Sequence, residues 1–430
     1  MKRQLPQWSE LSPLIKFKPV SLDRRNARLT AAADVWDLRS LAKRRTPKAA
    51  FDYVDGGANQ ELSLNRTRQA FASLEFQPNV LRDVSAVDLS TSIAGGRSAL
   101  PFGIAPTGFT RFMHAAGEEA GAAAAQRAGI PFTLSTMGTA SIEDVAGFGD
   151  GGRKWFQLYL WRDREKSEVL VHRAQAAGFD TLLVTVDTPV AGSRLRDARN
   201  GMKIPPALTL KTVFDASYRP EWWINFLTTE PLKFATLSAH SGSVASLINS
   251  MFDPTITFDD ISWLRSVWKG RLFVKGIVSA EDALRAVDLG ADGIVVSSHG
   301  GRQLDRTPVP LRALPGIRRA VGQDAEIILD SGIMSGGDIV AAVAAGADFT
   351  LIGRAYLYGL MAGGPQGIDR AIQILRDEIQ VTMQLLGVSS LAELTPEHIR
   401  MDWNAVRDVP VPTRATQAPS FPNRLKEPIR

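Results

Sequence analysis

One unit recurs along this chain and limits its fold more than any other feature. An Ala-rich helical stretch closes on a glycine, two residues follow, and a short apolar run begins. The unit stands at Ala128-Gly129 before Phe132–Leu134, at Ala177-Gly178 before Thr181–Val186, at Leu289-Gly290 before Gly293–Val296, and at Ala345-Gly346 before Phe349–Ile352. Glycine at a helix C-terminus supplies a left-handed cap, and two residues make an ordinary helix-to-strand link. Further apolar runs at Pro101–Ala105, Trp155–Tyr159, Leu272–Lys275 and Glu326–Leu329 bring the strands to eight. Continuous apolar runs, unlike alternating ones, predict burial on both faces and therefore a parallel sheet. Eight such βα units predict an α/β chain folded as a closed (β/α)8 TIM barrel rather than an open doubly wound sheet.

The spacing also predicts where the barrel is interrupted. Gly178 and Gly290 enclose more chain than two units need, and the surplus falls between Gly201 and Asp259. We therefore expect an insertion over residues 201–259, after strand four, above the C-terminal mouth. Residues 1–100 form an N-terminal cap with a helical pattern from Val35 to Tyr53 followed by irregular chain. Residues 101–400 form the barrel, and residues 401–430, rich in Pro and without periodicity, form a loosely held tail.

Composition removes several classes of chemistry. Cysteine is absent, which excludes disulfides, thiol catalysis and cysteine-held clusters. The five histidines, His114, His172, His240, His299 and His398, form no metal-spaced pair, so no metal is expected. The formal net charge of +5 is dispersed, which suits small anions or an anionic membrane surface better than nucleic acid. No apolar segment follows Met1-Lys2-Arg3-Gln4, and the apolar-rich stretch Ile339–Met361 contains Asp348 and Arg354. It reads as helix, turn and strand rather than a membrane span, and a cytoplasmic location is expected.

In such a barrel the C-terminal ends of the strands converge on one site. Those ends carry Pro106-Thr107-Gly108, Ser135, Gln157 with Tyr159, Thr185 with Asp187 and Arg194, Lys275, Ser297 through Arg302, Asp330-Ser331-Gly332, and Gly353-Arg354. Polar residues thus follow all eight buried strands in phase. The richest end is Ser297-Ser298-His299-Gly300-Gly301-Arg302. Histidine takes a proton near neutral pH, and arginine grips a carboxylate through two parallel hydrogen bonds. A base and an anion clamp on one loop suit a small hydroxy or keto acid.

These ends, with Asp52-Tyr53, Gly56-Gly57-Ala58, Ile104-Ala105-Pro106-Thr107-Gly108, Phe156-Gln157-Leu158-Tyr159, Thr185-Val186-Asp187-Thr188-Pro189, Val274-Lys275-Gly276 and His299-Gly300-Gly301-Arg302-Gln303-Leu304-Asp305, resemble the FMN-dependent L-2-hydroxy acid dehydrogenase and oxidase family. The resemblance runs from about residue 30 to about residue 400 and leans towards the bacterial members that oxidise L-lactate. It implies oxidation of an L-2-hydroxy acid, most simply L-lactate to pyruvate, with electrons passed to a quinone or a redox protein. An oxidase that uses oxygen and releases hydrogen peroxide, or a mandelate-type dehydrogenase, is the alternative. A homotetramer is implied as well.

The resemblance makes His299 the catalytic base and Asp187 the group that orients it. Arg302 and Arg194 become the carboxylate clamp, Tyr53 and Tyr159 donors to the substrate, and Lys275 the cation beside the reduced flavin edge. FMN would be held by Pro106, Thr107, Gly108, Ser135, Gln157, Thr185, Lys275, Ser297, Asp330, Ser331, Gly332, Gly353 and Arg354. Three positions depart from the family pattern: Met334 replaces an arginine, Ser298 an asparagine, and Met137 the tryptophan of glycolate oxidases. The insertion combines Trp222, Trp223, Phe226 and Leu227 with Lys211, Arg219 and Lys233, which suits equally a peripheral anchor at the inner face of the plasma membrane and a lid that packs those aromatics onto its own barrel.

Overall fold

The computed structural model describes residues 7–12, 23–148, 151–200, 217–230 and 252–401. Most of the expected insertion (201–216 and 231–251), and the expected tail beyond Met401, lie outside the described residues.

Eight parallel strands close into a barrel: β1 (Phe102–Ile104), β2 (Phe132–Ser135), β3 (Lys154–Tyr159), β4 (Thr181–Thr185), β5 (Arg271–Ile277), β6 (Gly293–Val296), β7 (Glu326–Leu329) and β8 (Phe349–Ile352). Each pairs with its neighbours in chain order, and β8 returns to β1. The four repeated helix-ending glycines, Gly129, Gly178, Gly290 and Gly346, all take positive φ, as the repeat predicts.

Side chains on a strand alternate between its faces, so each strand carries two sets. The outward set includes Phe156, Leu182, Val274, Ile294 and Leu329, and packs under the surrounding helices. The inward set, Trp155, Leu183, Phe273, Val295, Ile328, Phe349 and Leu351, forms a second core inside the barrel. Burying each such side chain contributes about 1.5–3 kcal/mol. The barrel is therefore a packed plug, and a site has room only above this layer.

The N-terminal end is sealed by a hairpin of Thr91–Ile93 and Gly96–Ser98. Ile93 and Ala94 join the inner core, and the Ala94 amide donates to the Glu326 carboxylate at 2.9 Å. Arg153 fastens the turn by donating to the carbonyls of Ile93 (2.7 Å), Ala94 and Gly96 (3.0 Å each).

The first hundred residues are more ordered than their pattern predicts. The expected helix from Val35 to Tyr53 is two helices, Val35–Arg45 and Lys48–Asp55, divided at Thr46-Pro47. Proline has no amide hydrogen to donate and drives the preceding residue to extended geometry, and Thr46 has φ −109° and ψ 149°. The chain expected to be irregular after Tyr53 contains a further helix, Leu62–Ala72, packed over the His299–Gly301 turn. Its apolar positions are few, so periodicity alone left it unread. The strand Leu74–Phe76 pairs antiparallel with Ile399–Met401, tying both ends of the described chain together.

Near the far end of the expected insertion Asp253 is buried, accepting from Arg164 at 2.7 Å, and the helix Asp259–Val267 begins at the insertion's expected last residue. Among the described residues no helix is long and apolar enough to cross a membrane. The stretch Ile339–Met361 holds the expected helix, turn and strand, as helix Gly336–Ala344 and strand β8, and then a second helix, Arg354–Gly363, that was not expected.

Candidate active site

The inward alternation continues past the apolar plug and builds the site. Two residues beyond Trp155, Leu183, Phe273, Val295 and Ile328 stand Gln157, Thr185, Lys275, Ser297 and Asp330, all buried. Two residues further on β3, β4 and β6 stand Tyr159, Asp187 and His299. A cavity of about 380 Å³ opens there, within the size range of ligand pockets. Tyr53, Tyr159, Arg194, Lys275, His299, Arg302 and Arg354 all line it.

His299 Nδ1 lies 3.0 Å from Asp187 Oδ1. The Asp187 carboxylate is an acceptor, which assigns the Nδ1 proton and leaves the lone pair on Nε2. Asp187 stands behind the ring, with its other oxygen buried and unpartnered. Burial works to raise its carboxyl, but His299 and then Lys275 outweigh burial and hold it below the usual range. Gly276 makes this approach possible. It sits at a bulge in β5 with φ +106°, and a Cβ there would lie 2.7 Å from Asp187 Cβ.

The loop holding His299 is strained and cross-braced. His299 itself has φ 55°, followed by Gly300 and Gly301 at 63° and 71°, while Ser331 opposite has φ 75°. A non-glycine residue in this region costs about 1–3 kcal/mol, so its surroundings must fix it. Ser297 Oγ accepts the His299 amide at 3.0 Å, and Ser331 Oγ accepts the amides of Ser298 and Gly300 at 3.2 and 3.0 Å.

Lys275 is the deepest cation of the site. It donates to Ser297 Oγ at 2.9 Å and pairs with Asp330 at 3.0 Å, and both charges are more than nine-tenths buried. Asp330, expected from the sequence only as a cofactor contact, is thus the counter-ion of Lys275. The period-two spacing that places them on one interior face was the available signal. Beside this pair, Gln157 accepts from Ser135 at 3.0 Å and donates to Thr185 at 2.9 Å.

Three guanidinium groups approach from above. Arg302 sits 4.9 Å from the Tyr53 ring centroid and Arg194 sits 5.4 Å from it. Arg194 also pairs with Asp197 at 2.7 Å. Among the described residues Arg302 donates only to carbonyl oxygens, those of Tyr53 and Gly56. Burial and then Arg194 push its guanidinium down to about 10. Two neighbouring half-buried cations that share one carboxylate, Asp197, describe a place for an anion. Burial and Asp187 raise the Tyr159 phenol well above its ordinary value, so it remains a hydrogen-bond donor. Its oxygen stands 3.4 Å from His299 Nε2.

Arg354 donates to the carbonyls of Val54, Gly300 and Gly56 at 2.8–2.9 Å and pairs with no carboxylate among the described residues. It opens the helix Arg354–Gly363, whose N-cap Gly353 makes no side-chain cap bond, so first-turn amides remain available. An unneutralised guanidinium at an uncapped helix start suits a phosphate. Pro106, Thr107, Gly108, Ser135, Gln157, Thr185, Lys275, Asp330, Ser331, Gly332 and Gly353 line the same cavity. With its buried cation and its amide and hydroxyl groups, this donor set fits FMN.

Apart from Tyr53, sequence reasoning missed the N-terminal contribution. Trp36, Arg39, Asp55, Leu64 and Arg68 also line the cavity. Arg68 donates to the Gly332 carbonyl and pairs with Asp338 at 2.7 Å, beside buried Met334. A guanidinium therefore stands near the position where Met334 removes the expected arginine. Met137 faces Gly108 so closely that a Cβ on Gly108 would lie 2.6 Å from its own. Of the aromatics that suited either an anchor or a lid, Trp222 and Phe226 pack inward, as a lid would. They stack at 4.9 Å, and Trp222 donates to the Phe112 carbonyl at 3.2 Å. Ile224 and Leu227 on the same helix, Pro220–Thr228, remain exposed.

Residues 42–401 match the family model described as FMN-dependent dehydrogenase. A Mycobacterium tuberculosis protein named "Putative L-lactate dehydrogenase" is 58% identical over 399 residues, covering 93% of this chain and 96% of the relative. The L-lactate dehydrogenase of Ectopseudomonas mendocina is 41% identical over 368 residues, covering 84% and 97%. Among solved structures, that of the monotopic membrane protein (S)-mandelate dehydrogenase superposes with a TM-score of 0.83 at 38% identity, covering 86% of this chain and 100% of the other.

Proposed function

Because the chain belongs to the FMN-dependent dehydrogenase family, we propose that it oxidises L-lactate to pyruvate and passes the electrons to a quinone or a redox protein. The observation that carries this reading is the cavity itself: an imidazole held by a carboxylate, two guanidiniums sharing one counter-charge and a buried ammonium share one rim. When bound, FMN would take up the two electrons and one of the two protons that leave the substrate, and the other proton goes to His299.

Arg302 and Arg194 hold the substrate carboxylate, and Tyr53 between them fixes their spacing. His299 Nε2 takes the proton released as the hydroxy acid becomes the oxo acid. Asp187 stabilises the imidazolium that forms, because an ionised carboxylate already accepts from Nδ1. Tyr159 donates to the substrate oxygen, and its raised phenol keeps that proton available. Lys275, kept in place by Asp330 and Ser297, would favour the reduced flavin through its positive charge. Arg354 and the amides after Gly353 would hold the cofactor phosphate.

Anaerobic mixing of the yellow holoprotein with a panel of L-lactate, (S)-mandelate and glycolate tests the reading. L-lactate is expected to bleach the flavin fastest. A protein that takes up no FMN, or that none of these acids bleaches, overturns it. The clamp has its own test. Arg302→Met is expected to raise KM for L-lactate by roughly 30-fold or more, as loss of a charged hydrogen bond costs about 2 kcal/mol or more. An unchanged KM would remove Arg302 from the clamp.

We assign the chain, as a homotetramer, to the inner face of the plasma membrane, held peripherally. The exposed apolar face of helix Pro220–Thr228 and the membrane association of the (S)-mandelate dehydrogenase neighbour support this location.

A further inference from the structure

A second cavity, of about 210 Å³, lies between the end of helix Val35–Arg45, the segment Arg111–Ala115 and helix Pro220–Thr228. The mechanism above makes no use of it. Its described lining includes five arginines, Arg28, Arg44, Arg45, Arg111 and Arg219, and a single carboxylate, Glu221. Glu221 is already engaged by Arg45 and by Arg25, the latter at 3.2 Å. Arg44 donates to the Ser40 carbonyl and Arg111 to the Glu230 carbonyl at 2.9 Å. Neither they nor Arg28 pair with a carboxylate among the described residues.

Like charges gathered around a concave wall repel one another unless an anion joins them. Two further features agree. Burial and then the cations Arg25 and Arg28 weigh against the charge on Arg45, and together they lower its guanidinium despite Glu221. His114, on the same wall, accepts the Ala116 amide at Nδ1 (3.1 Å), which puts its proton on Nε2, where it meets no acceptor. The helix that supplies Trp222, Asn225 and Phe226 to the cavity exposes Ile224 and Leu227 beside it, at 60% and 67%. A cationic hollow flanked by an apolar helix face matches a membrane surface, where phosphate lies directly above hydrocarbon.

We propose that this cavity binds the phosphate of an anionic phospholipid headgroup, with Arg44 and Arg111 as its principal donors. The proposal rests on the peripheral-membrane reading above. It adds to that reading a selectivity for anionic lipid, carried by residues outside the insertion.

The test compares the wild-type holoprotein with the Arg44→Gln/Arg111→Gln variant. Neither arginine pairs with a described carboxylate, so no partner acid is stranded and the variant is expected to fold and keep its flavin. Co-sedimentation is measured with phosphatidylcholine vesicles, with and without phosphatidylglycerol. Each arginine near an anionic surface contributes a factor of about five, so the variant should lose roughly 30-fold in affinity for the mixed vesicles alone. An Ile224→Ser/Leu227→Ser variant should weaken binding to both compositions. Equal binding of wild type and variant to the mixed vesicles overturns the site and leaves the membrane reading standing. If the wild type binds no vesicles, thermal melts with inorganic phosphate decide. Protection that the arginine variant lacks keeps the phosphate site and rejects both the lipid and the membrane reading. No protection rejects the site as well.

Discussion

In His299→Gln, anaerobic reduction of the flavin by L-lactate should fall by about 10²- to 10⁴-fold, the range that general-base catalysis contributes, while the yellow colour persists. Glutamine has polar atoms of similar reach but no nitrogen that takes a proton near neutral pH. The cofactor contacts proposed for Lys275, Gln157 and Arg354 are untouched, so FMN should remain bound. Stopped-flow absorbance separates the two effects, since retained colour with lost bleaching assigns the imidazole to proton transfer. Reduction within tenfold of wild type would remove His299 from that role. A second signature follows from Asp187. Burial alone would raise its carboxyl, and His299 is the larger of the two charges that hold it low. A depressed carboxyl contributes stability that is present above its unfolded value and lost as pH falls through its folded value. Without the imidazole the folded value rises. The variant should therefore begin to lose stability at a higher pH than wild type on acid titration, read by chemical denaturation across the acid range.

Lys275→Met should cost about 3–5 kcal/mol of stability, because it leaves Asp330 as an unpaired buried carboxylate. Denaturant melts of the apoprotein measure this without reference to activity. In Lys275→Met/Asp330→Asn the stranded charge is gone, and most of that stability should return. Flavin reduction should not return with it. The ammonium is the one charge of the pair placed to favour a reduced ring, and removing such a stabiliser costs about 10²- to 10³-fold. If the double variant regains the wild-type reduction rate, Lys275 serves only to pair with Asp330. If the single variant is as stable as wild type, the pair is solvated and the buried-charge argument fails.

The eight strands were readable in advance because a strand buried on both faces must be apolar throughout. Gly293–Val296, Glu326–Leu329 and Phe349–Ile352 begin and end where their composition says. Most of the polar residues at the rim were readable for a related reason: a charge directly after such a run has to leave the plug. The N-terminal segment was less legible. Helix Leu62–Ala72 has a weak apolar period and is stabilised by packing over the His299 turn, so its contribution of Arg68 to the cavity followed only from three-dimensional contact. Trp222 and Phe226 show a choice between anchor and lid that only the fold could make. An aromatic and basic composition suited an interfacial anchor, but Phe112, more than a hundred residues away in sequence, offered these rings a partner.

Local chemistry along the chain settled the barrel, the interior face of each strand and the candidate base, because alternation, caps and apolar runs depend on residues within a few positions of one another. Pairings between distant residues needed the closed barrel. Asp187 reaches His299 because Gly276 on the intervening strand lacks a side chain, and Lys275 finds Asp330 across the barrel interior. The second, arginine-lined cavity is of the same kind. Its charges come from segments that no periodicity links, and repulsion among them arises only once the fold has gathered them.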